Sequence, residues 1–237
     1  MARRLNYNIS IVVMQMWSNE TTIDQLQTGT DIETYATSVV KFIIDHNIDG
    51  YDNDYEGGNM CPQAGKVFSA IRQKLDKVHP TPPYHVSIAP SNTAYLNNDI
   101  VKSSLTHVNM QNYSGGRMES LQADIDTYKQ IFNSSTNVNI IFGVDSEIAS
   151  ENWPEVAKPS STTTSNVFDT LYDIVTTNGL NGIYNWRLDS GDWIFQNAFQ
   201  VYLYNKFHDT SLQCPFTLEQ VVETWPNVKG GPIAPFK

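Results

Sequence analysis

Short apolar runs alternate along the chain with longer segments whose apolar residues recur every three or four positions. The first run, Ile9 to Trp17 (ISIVVMQMW), reads as a strand. Ile32, Tyr35, Ala36, Val39, Val40, Ile43 and Ile44 then follow the i, i+3, i+4, i+7 spacing of a helix, and Thr30 and Glu33 stand at capping-box distance before it. A second strand covers DGYDNDYE, Asp49 to Glu56. Pro62 suits the first turn of the next helix, which Val67, Ile71, Leu75 and Val78 mark as a stripe. Tyr84 to Pro90 and His107 to Tyr113 read as two more strands, and Leu121, Ile125, Tyr128 and Phe132 as the helix leading to the strand Asn137 to Asp145. A Ser- and Thr-rich entry precedes a helix on Val167, Phe168, Leu171, Ile174 and Val175. Gly182 to Asp189 is the last strand, and Ile194, Ala198, Val201 and Tyr202 fall on the last helix. No low-complexity linker divides the chain, so one domain over 1–237 with a tail from 208 is expected. Six strand-helix units imply a parallel sheet, and either a doubly wound sheet or a barrel satisfies the pattern.

A chain of 237 residues, 40% of them hydrophobic, can bury one core of α/β-barrel size or two small ones. The formal net charge of −10 with no basic run disfavours nucleic acid and anionic membrane as partners, whereas a neutral glycan is indifferent to it. No apolar run reaches the length of a bilayer span, and MARRLNYNIS lacks the apolar centre of a signal peptide, so the chain reads as a mature or trimmed form. Asn8, Asn19, Asn112 and Asn133 head Asn-x-Ser/Thr triplets, which hint at a secreted or extracytoplasmic location. Cys61 and Cys214 fit one disulfide or two thiols equally. His46, His79, His85, His107 and His208 have no metal-ligand spacing and read as structural or solvated; no cofactor is expected.

The second strand carries the chemistry. Successive side chains on a strand alternate faces, so Asp52, Asp54 and Glu56 point one way and Tyr51, Asn53 and Tyr55 the other. Three carboxylates spaced about 7 Å apart on one face cannot all ionise cheaply, so their protonation is coupled and at least one pKa should rise. A calcium loop also spaces acids alternately, but it needs glycine at its sixth position and glutamate at its twelfth. Counted from Asp49 those places hold Asp54 and Met60; from Asp52 they hold Gly57 and Gln63, which loses the glutamate. A solvated acidic turn is the other alternative, and the apolar lead-in KFIIDHNI, Lys41 to Ile48, argues against it.

The segment DGYDNDYE resembles the Asp-x-x-Asp-x-Asp-x-Glu signature of glycoside hydrolase family 18, the chitinases and endo-β-N-acetylglucosaminidases. MQNYSGG resembles that family's sixth-strand pattern, with Gln111 and Tyr113 at its Met/Gln-x-Tyr positions, and GIYNWRLDSGD its eighth strand, with Trp186 at the sugar-floor tryptophan. The similarity runs in order from about Ile9 to about Phe207. It implies a (β/α)8 TIM-type barrel with its site at the C-terminal ends of the strands. It also implies a retaining mechanism in which the substrate's own acetamido carbonyl attacks the anomeric carbon. Glu56 would be the general acid and then the base. Asp54 would hold the acetamido N–H and orient its carbonyl, and Asp52 would share a proton with Asp54. Tyr113 would hydrogen-bond the acetamido oxygen, Gln111 would line the same wall, and Asp49, out of phase at the strand's entrance, would bind or support from there. The implied partner is a glycan containing N-acetylglucosamine, as chitin or as the chitobiose core of an N-glycan.

Three departures qualify the resemblance. Asn53 stands where the outward residue of that strand is apolar, and a buried amide requires partners. Ser114 replaces the Asp or Asn of the sixth-strand pattern. The first run corresponds to the family's third strand and ends in WSNE rather than Ser-x-Gly-Gly, so the first two strand-helix units are expected to be missing from this chain. Either the chain is a fragment, or the tail from Cys214 to Lys237, self-association or a partner chain completes the barrel, or the barrel is open. A chitinase-like lectin that keeps the groove without turnover is the alternative function; retention of Glu56 and both aspartates favours the enzyme. Trp186 competes with a core role and Asp192 with a helix cap. Asp145 and Asp189 fit subsites or caps, and Trp17 and Trp153 fit platforms or packing.

Overall fold

The computed structural model describes residues 9–16, 23–56, 64–80, 83–94, 96–112, 121–133, 136–145, 167–186 and 193–215. Six strands, β1 (Val12–Gln15), β2 (Gly50–Tyr55), β3 (His85–Pro90), β4 (His107–Met110), β5 (Asn139–Asp145) and β6 (Gly182–Trp186), form one sheet in that order. Among the described residues the pairings of β1 with β2, β2 with β3, β3 with β4 and β5 with β6 are parallel: Val12 with Gly50, Asp52 with Ser87, Ser87 with His107 and Asp145 with Trp186 fix the register. A doubly wound sheet would reverse its strand order at a switch point, and this one does not. The winding is that of a partial (β/α)8 barrel. Helices α1 (Gly29–Asp45), α2 (Ala64–Val78), α3 (Asp99–Ser104), α4 (Leu121–Ile131), α5 (Val167–Asn178) and α6 (Trp193–His208) alternate with the strands.

The chain divides into two compact units, 1–109 with 126–140 and 110–125 with 141–237, so the division passes through α4 and β5. In the first unit α1 packs on α2 and α2 on α3. The buried face of α1 is Ile32, Ala36, Val40 and Ile43, and that of α2 includes Val67, Phe68, Ile71 and Leu75. Against them stand the outward residues of the strands, Tyr51 and Tyr55 from β2 and Val86 and Ile88 from β3, all buried. A fully buried Phe68 or Ile71 contributes on the order of 2 kcal/mol each. In the second unit Phe168 of α5 meets Phe199 and Tyr202 of α6 at ring separations of 5.6 and 5.4 Å. Asp169 accepts from the Tyr202 hydroxyl at 2.5 Å and pairs with Lys206 at 2.8 Å.

Several expectations need correction. The capping box of α1 is Thr28 with Asp31, not Thr30 with Glu33. Asp31 N donates to Thr28 Oγ1 at 3.1 Å and Thr28 N donates to Asp31 Oδ2 at 3.0 Å, so the helix starts earlier. Ile44, placed on the core stripe, is 43% exposed: at 100° per residue it lies well around the helix from Ile32. Helix α3 was missed because six residues are too few for a periodic stripe, although Asn98 caps it by accepting from Ile100 N at 2.9 Å. Strands β1 to β5 are each shorter than the run expected for them. Cys214 is a free, half-buried thiol; Cys61, Pro62, Trp17, Asn8 and Asn19 lie outside the described residues.

Candidate functional site

Strand β2 is buried along its whole length and holds the acids where its alternation predicts them. Gly50 starts it because β3 comes too close for any side chain: a Cβ there would lie 2.3 Å from the His85 carbonyl oxygen. Asp52 is 4% exposed and Asp54 8%, while Glu56, one residue past the end of the strand, is exposed. The Asp52 carboxylate accepts at Oδ1 from Ser87 Oγ at 2.5 Å and from Asn109 Nδ2 at 3.3 Å. Burial pushes its pKa up to about 6. The Ser87 hydroxyl pulls the other way, the neighbouring Asp54 adds to the rise, and the backbone of Asn53 lowers it. One carboxyl of the ladder is thus raised, at Asp52, but burial is the main cause and the charge of Asp54 a lesser one.

Asp49 precedes the strand, at the end opposite Glu56. Its carboxylate accepts from the backbone N–H of Ile11 at 2.6 Å, and its own backbone binds Ile11 and His85, which ties β1, β2 and β3 together. The site's acids and Asp49 thus occupy opposite ends of one strand. On the outward face the question of Asn53 has a partial answer: its Nδ2 donates to the Tyr51 hydroxyl at 3.0 Å. That hydroxyl donates to Gln15 Oε1 at 3.1 Å and lies 3.0 Å from the Tyr35 hydroxyl. The Asn53 carbonyl is buried with no hydrogen-bond partner. Burial, then Tyr35, push the Tyr51 phenol well above its usual pKa.

A cavity of about 620 Å3 opens at the N-terminal ends of the strands, lined by Asp49, His85, His107 and Asn139 among others. The two rings stand 5.0 Å apart. His107 contacts Thr106 Oγ1 at 2.8 Å and Asn139 Nδ2 at 3.3 Å. Burial, and then the His85 ring, hold its pKa down to about 4. This cavity carries no acid ladder and lies at the strand end opposite Glu56. Among the described residues no group of three or more His, Cys, Asp or Glu is arranged to hold a metal, and no helix is long and apolar enough to cross a membrane.

In the second unit, Gln111 is half-buried just past β4 and Asn112 is buried at 6% exposure, which leaves no surface there for a glycan. Trp186, half-buried, ends β6. Tyr184 shares its face by alternation and donates to the Met110 carbonyl at 3.2 Å. Its ring lies over Gly143, where a Cβ would be 2.5 Å from Tyr184 Cζ and 2.3 Å from the Met110 oxygen. Tyr184, Ser87 and Asn109 were not singled out from the sequence. A glycine inside the run IIFGVD signals such a close approach, whereas nothing local announces Ser87 or Asn109, which depend on register. Tyr113, Ser114, Trp153, Asp189 and Asp192 lie outside the described residues, and the side chain of Asp145 is likewise not described.

No protein-family model and no curated protein matches the chain. Solved structures do. A family 18 chitinase from Crocus vernus is 18% identical with a TM-score of 0.61, covering 85% of this chain and 74% of its own. A family 18 chitinase from the chitin utilization locus of Flavobacterium johnsoniae is 17% identical with a TM-score of 0.54, over 79% and 72%. A fungal endo-β-N-acetylglucosaminidase of the same family is 15% identical with a TM-score of 0.53, over 78% and 66%. At such identities the likeness speaks for the backbone: this chain has the fold in which family 18 chitinases and endo-β-N-acetylglucosaminidases are built.

Proposed function

We propose that the chain is a glycoside hydrolase that cleaves β-1,4 linkages of N-acetylglucosamine, in chitin-type oligosaccharides or in the chitobiose core of N-glycans, by a retaining, substrate-assisted mechanism. The observation that carries this reading is the division of environments along β2: two aspartates buried side by side, one with its pKa raised to about 6, and an exposed glutamate at the strand's C-terminal end. A pair of carboxyls pushed toward sharing a proton beside a solvent-accessible third is what acid-base assignment requires. The fold of family 18 structures adds support.

Glu56 protonates the glycosidic oxygen as the bond to the anomeric carbon breaks, while the acetamido carbonyl oxygen forms a bond to that carbon from the opposite face. The ion so formed carries its positive charge on the acetamido group, and Asp54 stabilises it by accepting the N–H. Asp52 takes or gives the proton that lets Asp54 change partners. Glu56, now ionised, removes a proton from the water that opens the ring, and the product keeps its configuration. Gln111, Tyr113 and Trp186 line and floor the sugar site; Asp49 supports the strand from its other end. No metal or cofactor takes part.

Incubation with chitooligosaccharides and, in parallel, with a high-mannose glycoprotein, followed by mass measurement of the products, tests the reading. Release of shorter oligosaccharides or of free glycan is expected. Binding of either without any fragment would replace the enzyme by a lectin. Secretion and a glycan partner outside the cell are the setting such substrates require.

A further inference from the structure

Two side chains from two different strands converge on one oxygen of Asp52. Ser87, its register partner on β3, donates its hydroxyl to Oδ1 at 2.5 Å, and Asn109 reaches the same oxygen from β4 with Nδ2 at 3.3 Å. We propose that Ser87 and Asn109 are positioning residues that dictate which oxygen of Asp52 carries its proton. The inference rests on reading Asp52 and Asp54 as the proton-sharing pair of the proposed hydrolysis.

The physical reason lies in what each oxygen of a carboxyl group can do. A carboxylic acid has one O–H oxygen, which donates, and one carbonyl oxygen, which is the better acceptor. Two donors aimed at Oδ1 make it the carbonyl oxygen, so the proton resides on Oδ2. Among the described residues neither Ser87 nor Asn109 has another side-chain hydrogen bond, so both donors are committed to this oxygen. Ser87 is buried, where an unsatisfied hydroxyl would be costly, and this holds its rotor on Asp52.

The titratable groups that share this surroundings are few. Asp54 and, just past the strand's end, the exposed Glu56 follow on the same face of β2, and His85 and His107 fall on the same strand faces as Ser87 and Asn109 by alternation. Both histidine rings are held elsewhere, His85 by Ser10 and His107 by Thr106 and Asn139. From β1 the residue in register with Asp52 is Met14, which has no charge. Serine and asparagine do not titrate, so the arrangement selects the proton's seat at every pH at which Asp52 carries one, and Asp54 then meets a fixed donor rather than an interchanging one.

The test is an NMR titration of protein labelled with carboxyl-13C aspartate, with the Asp52 signal assigned by its loss in Asp52→Asn. In Ser87→Ala the Asp52 midpoint should move upward by roughly 1 pH unit, because a hydrogen bond to the charged form is lost. Ser87→Thr, which restores a hydroxyl, should return it to the parent position, and Asn109→Ala should move it upward by less. An unmoved midpoint in Ser87→Ala, or an equal displacement in Ser87→Thr, would overturn the assignment. With chitooligosaccharide as substrate, the limb of the pH-rate profile should follow the NMR midpoint across these variants, and a limb that stays fixed while the midpoint moves also overturns it. A parent protein that cleaves no substrate would end the hydrolase reading, and the titration would still decide whether Ser87 and Asn109 govern Asp52.

Discussion

At Asp52 the cost of burying a carboxyl and the gain from hydrogen bonds oppose each other, and burial wins: the pKa rises to about 6 despite the Ser87 hydroxyl. A carboxyl raised in the folded state contributes stability that is complete below its unfolded value and is lost as pH climbs through about 6. His107 works in the opposite sense. Its pKa is lowered to about 4, so its contribution is complete above the ordinary histidine value and is lost as pH falls through about 4. His85, lowered chiefly by burial, adds to the histidine slope. Between these values the slopes offset each other, and Asp52→Asn removes only the first. Urea unfolding of Asp52→Asn should therefore show stability rising with pH across that window more steeply than in the parent; parallel profiles would deny the raised pKa. The acid itself is tested by Glu56→Gln, which should lose on the order of 10² to 10⁴-fold in turnover while still binding oligosaccharide. Undiminished turnover in that variant removes Glu56 from the mechanism. These residues were legible because a strand's two-residue period displays them in the sequence, whereas Ser87 and Asn109 were hidden because neighbouring-strand register is not a local property.

At the scale of elements, the caps and close approaches decide where each segment begins. Thr28 and Asp31 satisfy each other at the start of α1, and Thr28→Ala should cost about 1 kcal/mol, read as a lowered thermal midpoint. A variant at Thr30, the residue the sequence spacing suggested, should change it much less. Both pairs fit the spacing rule, and only the turn's actual backbone chooses between them. Gly50→Ala should be harsher, roughly 1 to 3 kcal/mol, because the nearest atom is the backbone oxygen of His85, which cannot swing aside. A near-neutral change there would mean that β2 and β3 lie farther apart. The long helices were visible from periodicity, but Ile44 and α3 were misjudged for related reasons. An apolar residue at a helix end drifts off the buried face, and a helix of six residues never completes a face to read.

For the molecule as a whole, the alternation of strands and helices announced a parallel sheet without choosing between its two windings. The unbroken order from β1 to β6 makes the choice, in the direction the family resemblance implied. A chain with a formal net charge of −10 acting on an uncharged sugar should also be indifferent to salt. The specificity constant on chitooligosaccharide is predicted to change by less than about twofold as ionic strength rises from low to physiological values, where surface charge interactions become screened. A steep fall would point to a charged partner instead. The central claim, that the sugar's own acetamido group attacks its anomeric carbon with the β2 acids in attendance, fixes the stereochemistry of the product. Proton NMR of the newly formed reducing end, recorded within the first minutes on whichever substrate is cut, tests it most directly. The β anomer should emerge first and mutarotate later; first appearance of the α anomer would contradict the account.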